Sequence, residues 1–117
     1  CPGTGLLYDL VSRGALSQIT AGSLTGHLGS AVAASARMFL ERGYAQFIAS
    51  DAHSCDQRGP LLAEAAGEAA RLLGEEQGRS LVTGNPYRAI LGGVVGSSPL
   101  DCKRPARYTF WKRLLYR

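Results

Sequence analysis

Two short strand-like segments, "ALSQIT" at residues 15–20 and "YAQFIAS" at residues 44–50, stand on either side of a helix-forming stretch, "SAVAASARMFLERG". Apolar residues at Val32, Ala36, Phe39 and Leu40 give that stretch a helical stripe, Ser30 is the expected N-cap, and Gly43 is the expected C-terminal stop. Strand, helix, strand between flanking helices is the signature of an α/β chain with parallel strands joined by crossovers. The nearly unbroken apolar character of "YAQFIAS" suits a strand covered on both faces.

Helices are also expected on both flanks. "TGLLYDLVSRG" carries Leu6, Leu7, Leu10 and Val11 at i, i+3, i+4 spacing, with Thr4 as cap and Gly14 as stop. "PLLAEAAGEAARLLG" opens on Pro60, a residue favoured at the first helical position. "EEQGRSLVTG" reads as a further helix ending at Gly84, and "NPYRAIL" as a turn with a last helical turn. Two parallel strands do not make a self-sufficient sheet, so the pattern predicts an α/β chain that is the C-terminal portion of something larger.

At 117 residues the chain fits one domain or a piece of one. No apolar run approaches the roughly 20 residues that span a bilayer, and "CPGTGLLYDL" has neither a basic leader nor a cleavage site. The expected location is therefore cytoplasmic. Cys1, Cys55 and Cys102 are odd in number and far apart, which argues for free thiols over a disulfide frame or a zinc knuckle.

The formal charge of +4 is an average over two unlike parts. Up to residue 102 the chain has seven Arg against nine acids; beyond it, "KRPARYTFWKRLLYR" adds six basic residues and no acid. Basic residues interleaved with Tyr108, Phe110, Trp111 and Tyr116 suit an anionic membrane surface or a nucleic acid backbone, and suit a solvated tail as well. Residues 93–117 are accordingly read as a flexible connector and tail, and residues 1–92 as the folded part.

The chemistry concentrates in "FIASDAHSCDQRGP". In α/β folds functional groups gather at the carboxyl ends of parallel strands, where Asp51 and His53 fall. An oxygen and a nitrogen ligand two positions apart suit a divalent ion such as manganese, iron or zinc. An Asp after a strand is more often a turn-former or a helix cap. Arg58 reads either as a solvated loop residue or as a bidentate clamp on a phosphate. Cys55, two residues past His53, lacks a phosphatase signature around it. The glycine-punctuated "AGSLTGHLGS" offers backbone N–H groups before a helix, with Ser23 and Thr25 as further donors, although a tight strand-to-helix turn explains it more simply. His27 in that loop is expected to face solvent.

"QITAGSLTGHLG", "FIASDAHSCDQRGP" and "NPYRAIL", in this order, resemble the C-terminal part of bacterial capsular-polysaccharide-type tyrosine-protein phosphatases of the PHP (polymerase and histidinol phosphatase) superfamily. The resemblance runs from about Tyr8 to about Leu91. It implies a partial distorted (β/α)7 barrel with parallel strands and crossover helices, and a cluster of divalent metals, usually manganese. The implied activity is metal-assisted removal of phosphate from phosphotyrosine, notably on the bacterial tyrosine kinase that controls polysaccharide export, without a cysteine phosphoenzyme. By position, Asp51 and His53 match metal ligands of the family's SDAH motif, and Arg58 matches an arginine that holds the substrate phosphate. The family's H-x-H motif and glutamate ligands have no counterpart here, and "RGP" stands where two prolines usually follow the arginine. Weak or no metal binding is therefore expected of this chain alone.

An uncovered sheet edge predicts self-association or pairing with the rest of a barrel. A membrane-embedded kinase as substrate would favour peripheral membrane contact by the tail, and no nucleic acid partner is expected. Two other readings use the same residues. One is a non-catalytic remnant that binds a protein or its own copies; the other is a PHP phosphoesterase for small substrates such as histidinol phosphate.

Overall fold

A computed structural model describes residues 4–56 and 62–95. Its order is α1 (Thr4–Ser12), β1 (Gln18–Thr20), α2 (Ala21–Leu24), α3 (Ser30–Glu41), β2 (Phe47–Ala49), α4 (Ala63–Leu73), α5 (Glu75–Arg79), a π-helical turn (Ser80–Gly84) and α6 (Asn85–Ile90). The expected mixed α/β architecture is present, and β1 and β2 pair in parallel with Gln18 opposite Phe47, Ile19 opposite Ile48 and Thr20 opposite Ala49. Both strands therefore exit at the same end of the sheet.

Glycines terminate three helices by one device. Gly14, Gly43 and Gly92 all take positive φ, and the residue after each donates back to a carbonyl in the last turn: Ala15 to Leu10 at 3.0 Å, Tyr44 to Phe39 at 2.8 Å, Gly93 to Arg88 at 2.8 Å. This six-residue closure satisfies carbonyls that a helix end leaves without partners, and it draws an apolar residue back onto the last turn. At α3 that residue is Tyr44, fully buried, whose ring lies 6.3 Å from Phe39 and 6.2 Å, edge-on, from Tyr8 of α1. The expected stops at Gly14 and Gly43 are thus found.

The start of α3 differs from expectation. Gly29, at φ 99° and ψ 158°, is the cap, and Ser30 is already helical. The carbonyl of Gly29 accepts the first helical bond, from Ala33 at 3.0 Å, in a backbone conformation that a side chain at that position would oppose. The buried stripe of α3 is Ala33, Ala36 and Leu40, while Val32 is exposed. The opening of the fourth helix at Pro60 lies outside the described residues; α4 is helical from Ala63.

The sharpest correction concerns the end of the fold. Gly84 does not stop a helix: at φ −66° and ψ −48° it continues one, so residues 75–90 form a single helical run with a π turn at its centre. Its packing shows why. Gly78 lies so close to α4 that a Cβ there would sit 2.5 Å from the backbone nitrogen of Ala70, and Leu81 enters the core. Tertiary contact therefore overrides the weak helix propensity of "GRSLVTG".

The core is small-residue-rich: Ile19, Ala21, Leu24, Ala36, Leu40, Ala45, Ile48, Ala65, Ala69 and Leu81 form one cluster. Alanines at the helix contacts let α3 and α4 pack against each other, and Arg37 of α3 meets Glu68 of α4 at 3.1 Å over the rim. Among the described residues no helix is long and apolar enough to cross a membrane.

Candidate metal centre

β2 leaves the sheet through Ser50, and the chain then turns at Asp51, whose φ of 52° is the one positive value among the described residues other than glycine. Asp tolerates this left-handed region better than most residues because its short polar side chain bonds locally. The turn aims the main-chain carbonyl of Asp51 at the ring of His53, with Nδ1 2.7 Å from the oxygen. A carbonyl oxygen only accepts, so Nδ1 carries a proton, and in the neutral ring Nε2 keeps its lone pair.

The Asp51 carboxylate stands 3.9 Å from Nδ1, and both side chains are open to solvent, 60% exposed for His53 and 45% for Asp51. A hard oxygen donor and an imidazole nitrogen whose other nitrogen is tied to a carbonyl are what a divalent-metal ligand pair requires. Among the described residues no group of three or more His, Cys, Asp or Glu converges to hold an ion. Asp51 and His53 thus stand as two candidate donors without a third among the described residues. Arg58, the expected phosphate clamp, lies outside the described residues. Cys55 is an exposed free thiol.

The other exit loop is less charged. "AGSL" forms the single helical turn α2, Thr25 Oγ1 donates to the Ala21 carbonyl at 3.2 Å, and His27 Nδ1 lies 3.0 Å from that hydroxyl. His27 is exposed, as expected.

Behind the strands lies a polar constellation that sequence reasoning missed. Gln46, 1% exposed, accepts from the Ser17 N–H at 2.8 Å through Oε1 and donates from Nε2 to the Gly43 carbonyl at 2.9 Å. Its own carbonyl accepts from Nδ2 of buried Asn85 at 2.8 Å. Ser80 Oγ donates to Asn85 Oδ1 at 2.9 Å, and Ser17 Oγ donates to the Tyr44 carbonyl. The available signal was a glutamine placed inside an otherwise apolar strand segment, and an asparagine opening "NPYRAIL".

A groove of about 590 Å³ runs along the outer face of residues 76–88, lined by Glu76, Arg79, Thr83, Tyr87 and Arg88 among others. Neither Asp51 nor His53 lines it. The candidate donor pair, Asp51 and His53, is at the strand exit.

Known proteins are similar to this chain in sequence and in fold. The family "Capsular polysaccharide synthesis, CpsB/CapC" matches residues 4–91, most of the chain. This chain belongs to the CpsB/CapC family. CapC of Staphylococcus aureus, a putative tyrosine-protein phosphatase by name, is 46% identical over 57 residues, 49% of this chain and 22% of that protein. The tyrosine-protein phosphatase YwqE of Bacillus subtilis is 47% identical over 53 residues, 45% of this chain and 21% of that protein. A solved chain from crystal structures of YwqE and of Streptococcus pneumoniae CpsB, described as metal-dependent tyrosine phosphatases, superposes with a TM-score of 0.76 at 34% identity. That superposition covers 82% of this chain and 38% of the other. The matched part of this CpsB/CapC chain thus spans about a fifth of the curated relatives' length and under two fifths of the solved one.

Proposed function

We propose that this CpsB/CapC chain forms one wall of a metal-dependent phosphotyrosine phosphatase site, with Asp51 and His53 as ligands to a divalent ion, manganese by resemblance. The observation that carries the reading is the bond from His53 Nδ1 to the Asp51 carbonyl at 2.7 Å, which in the neutral ring puts the lone pair on Nε2 at the carboxyl end of β2. Family membership and the named activity of YwqE support it.

A divalent ion at such a site supplies Lewis acidity toward phosphoryl oxygens and a water acidic enough to react near neutral pH. Asp51 contributes a carboxylate oxygen, and its carbonyl fixes the tautomer and direction of the His53 ring. Arg58, seven positions beyond Asp51, is assigned to the substrate phosphate, where a planar guanidinium can bind two oxygens at once and balance charge as the ester bond breaks. Cys55 takes no part. In the wider assignment the barrel is (β/α)7, the substrate is a bacterial tyrosine kinase of polysaccharide export, and the setting is cytoplasmic, with residues 103–117 touching the inner membrane face.

The test joins the chain to the upstream part of the Bacillus relative and follows phosphate release from a phosphotyrosine peptide with manganese. Activity lost in both Asp51→Ala and His53→Ala is the expected result. Activity retained in either variant would remove that residue from the metal site.

A further inference from the structure

We infer that Gln46 and Asn85 are positioning residues for the Asp51–His53 pair, acting by locking the register of β2 from its opposite end. The inference rests on the reading of Asp51 and His53 as metal ligands.

The β1–β2 ladder is only three residue pairs long. A ladder that short has few backbone bonds with which to set its register, and a slip of one residue would turn every side chain of the strand to its other face. Asp51 and His53 follow β2 within four residues, so such a slip would also move the pair from one side of the sheet to the other. What holds register is the residue just before the strand. Gln46 uses its N–H on the Ser17 carbonyl at 2.9 Å, Oε1 on the Ser17 N–H, Nε2 on the Gly43 carbonyl and its carbonyl on Asn85. Ser17 and Gln46 thus bond to each other twice, beside the first ladder pair, and no shifted pairing can reproduce both bonds.

Asn85 is held in turn by the π turn. There the Asn85 N–H bonds the Ser80 carbonyl five residues back, which sets the two side chains on one face. Ser80 Oγ donates to Asn85 Oδ1, so the amide presents its NH2 and not its oxygen to Gln46. Asn85 is 4% and Gln46 1% exposed, so removing the donor leaves the Gln46 carbonyl to bear the desolvation cost of a buried acceptor. The chain of bonds Ser80, Asn85, Gln46, Ser17 therefore runs from the C-terminal helical run to β1, through the residue that opens the strand whose exit carries the ligands.

The experiment is a manganese titration of the whole chain, followed by paramagnetic broadening of the histidine ring signals, a readout that detects weak binding and needs no catalysis. In the wild type the His53 ring should broaden at sub-stoichiometric metal, and Asp51→Asn should abolish the effect. Asn85→Asp replaces the donor facing Gln46 with an acceptor and should raise the half-broadening concentration for His53 roughly three- to thirtyfold. Ser80→Ala should raise it less. The measurement is confined to molecules whose metal-free His27 shift and amide dispersion match the wild type, so loss of global stability alone does not move it. If Asn85→Asp does not fold, Ser80→Ala decides. A wild-type midpoint in folded variants would overturn the positioning role. A wild-type chain whose His53 signal ignores manganese, or whose broadening survives Asp51→Asn, would instead overturn the ligand reading, and the inference with it.

Discussion

Asn85 reaches 39 positions back along the sequence to hold the main-chain carbonyl of Gln46 at 2.8 Å, and both residues are buried. Hydrogen bonds of this kind add little over water when made, but cost heavily when half of one is removed. Gln46→Met keeps the volume of the side chain while stranding the Ser17 N–H and the Gly43 carbonyl. A loss of about 2–4 kcal/mol is expected, seen as a lower urea midpoint with an unchanged slope.

Gly67 and Gly78 should respond oppositely to the same substitution. Gly67 lies inside α4, and a methyl group added there would find nothing within 4 Å, so Gly67→Ala should stabilise by about 0.5–1 kcal/mol through helix propensity. At Gly78 the methyl would meet the backbone of Ala70 at 2.5 Å, which no rotamer change relieves. Gly78→Ala should therefore destabilise by about 2–3 kcal/mol or more. Thermal melts of the two variants side by side measure both signs.

Glu68 pairs with Arg71 on its own helix and with Arg37 on α3, and the hydrogen bond from Arg71 is the largest cause holding its carboxyl below the usual glutamate range, with both arginine charges assisting. A carboxylate whose folded pKa is depressed stabilises the fold above its unfolded pKa, and that contribution fades as pH falls through the folded value. Wild type should thus lose stability on acidification below the ordinary glutamate range, and Glu68→Gln should lose less over the same interval. The arginines are largely exposed, so the difference should be under about 1 kcal/mol and shrink in high salt. Denaturant midpoints across acidic pH at two salt concentrations check it.

Asp51→Asn preserves a residue type that tolerates positive φ and removes only the charge. Stability should change by less than about 1 kcal/mol, since the site is exposed. In the chain joined to the upstream barrel of the Bacillus relative, manganese-dependent phosphate release should fall more than about 100-fold. A melting curve and a phosphate assay on the same preparation separate the two effects.

Much of this was legible because it is local. Gly14 and Gly43 announced helix ends, since a helix that closes by a left-handed residue needs glycine there. The crossover followed from strand, helix, strand, and the candidate metal pair from its place after β2. Gly84 misled for the opposite reason: its conformation is set by Gly78 and Leu81 packing on α4 and the core, contacts that no local window contains. Ser30 was passed over as a cap because the entry to α3 needs a backbone angle at Gly29 and not a side-chain oxygen. The role of Asn85 was invisible for a related reason, because its partner stands beside a distant strand. Arg58 lies outside the described residues, and its assignment still stands on the motif.

The crossover also bears on the order of events during folding. Ser17 and Gln46 are 29 positions apart, so their paired bonds close a long loop before they return any energy. α3 lies inside that loop and consists of local contacts, so its formation shortens the span that must be closed. Refolding speed should accordingly follow the helical tendency of residues 30–41, whereas changes at Gln46 should act mainly on how fast the native chain comes apart.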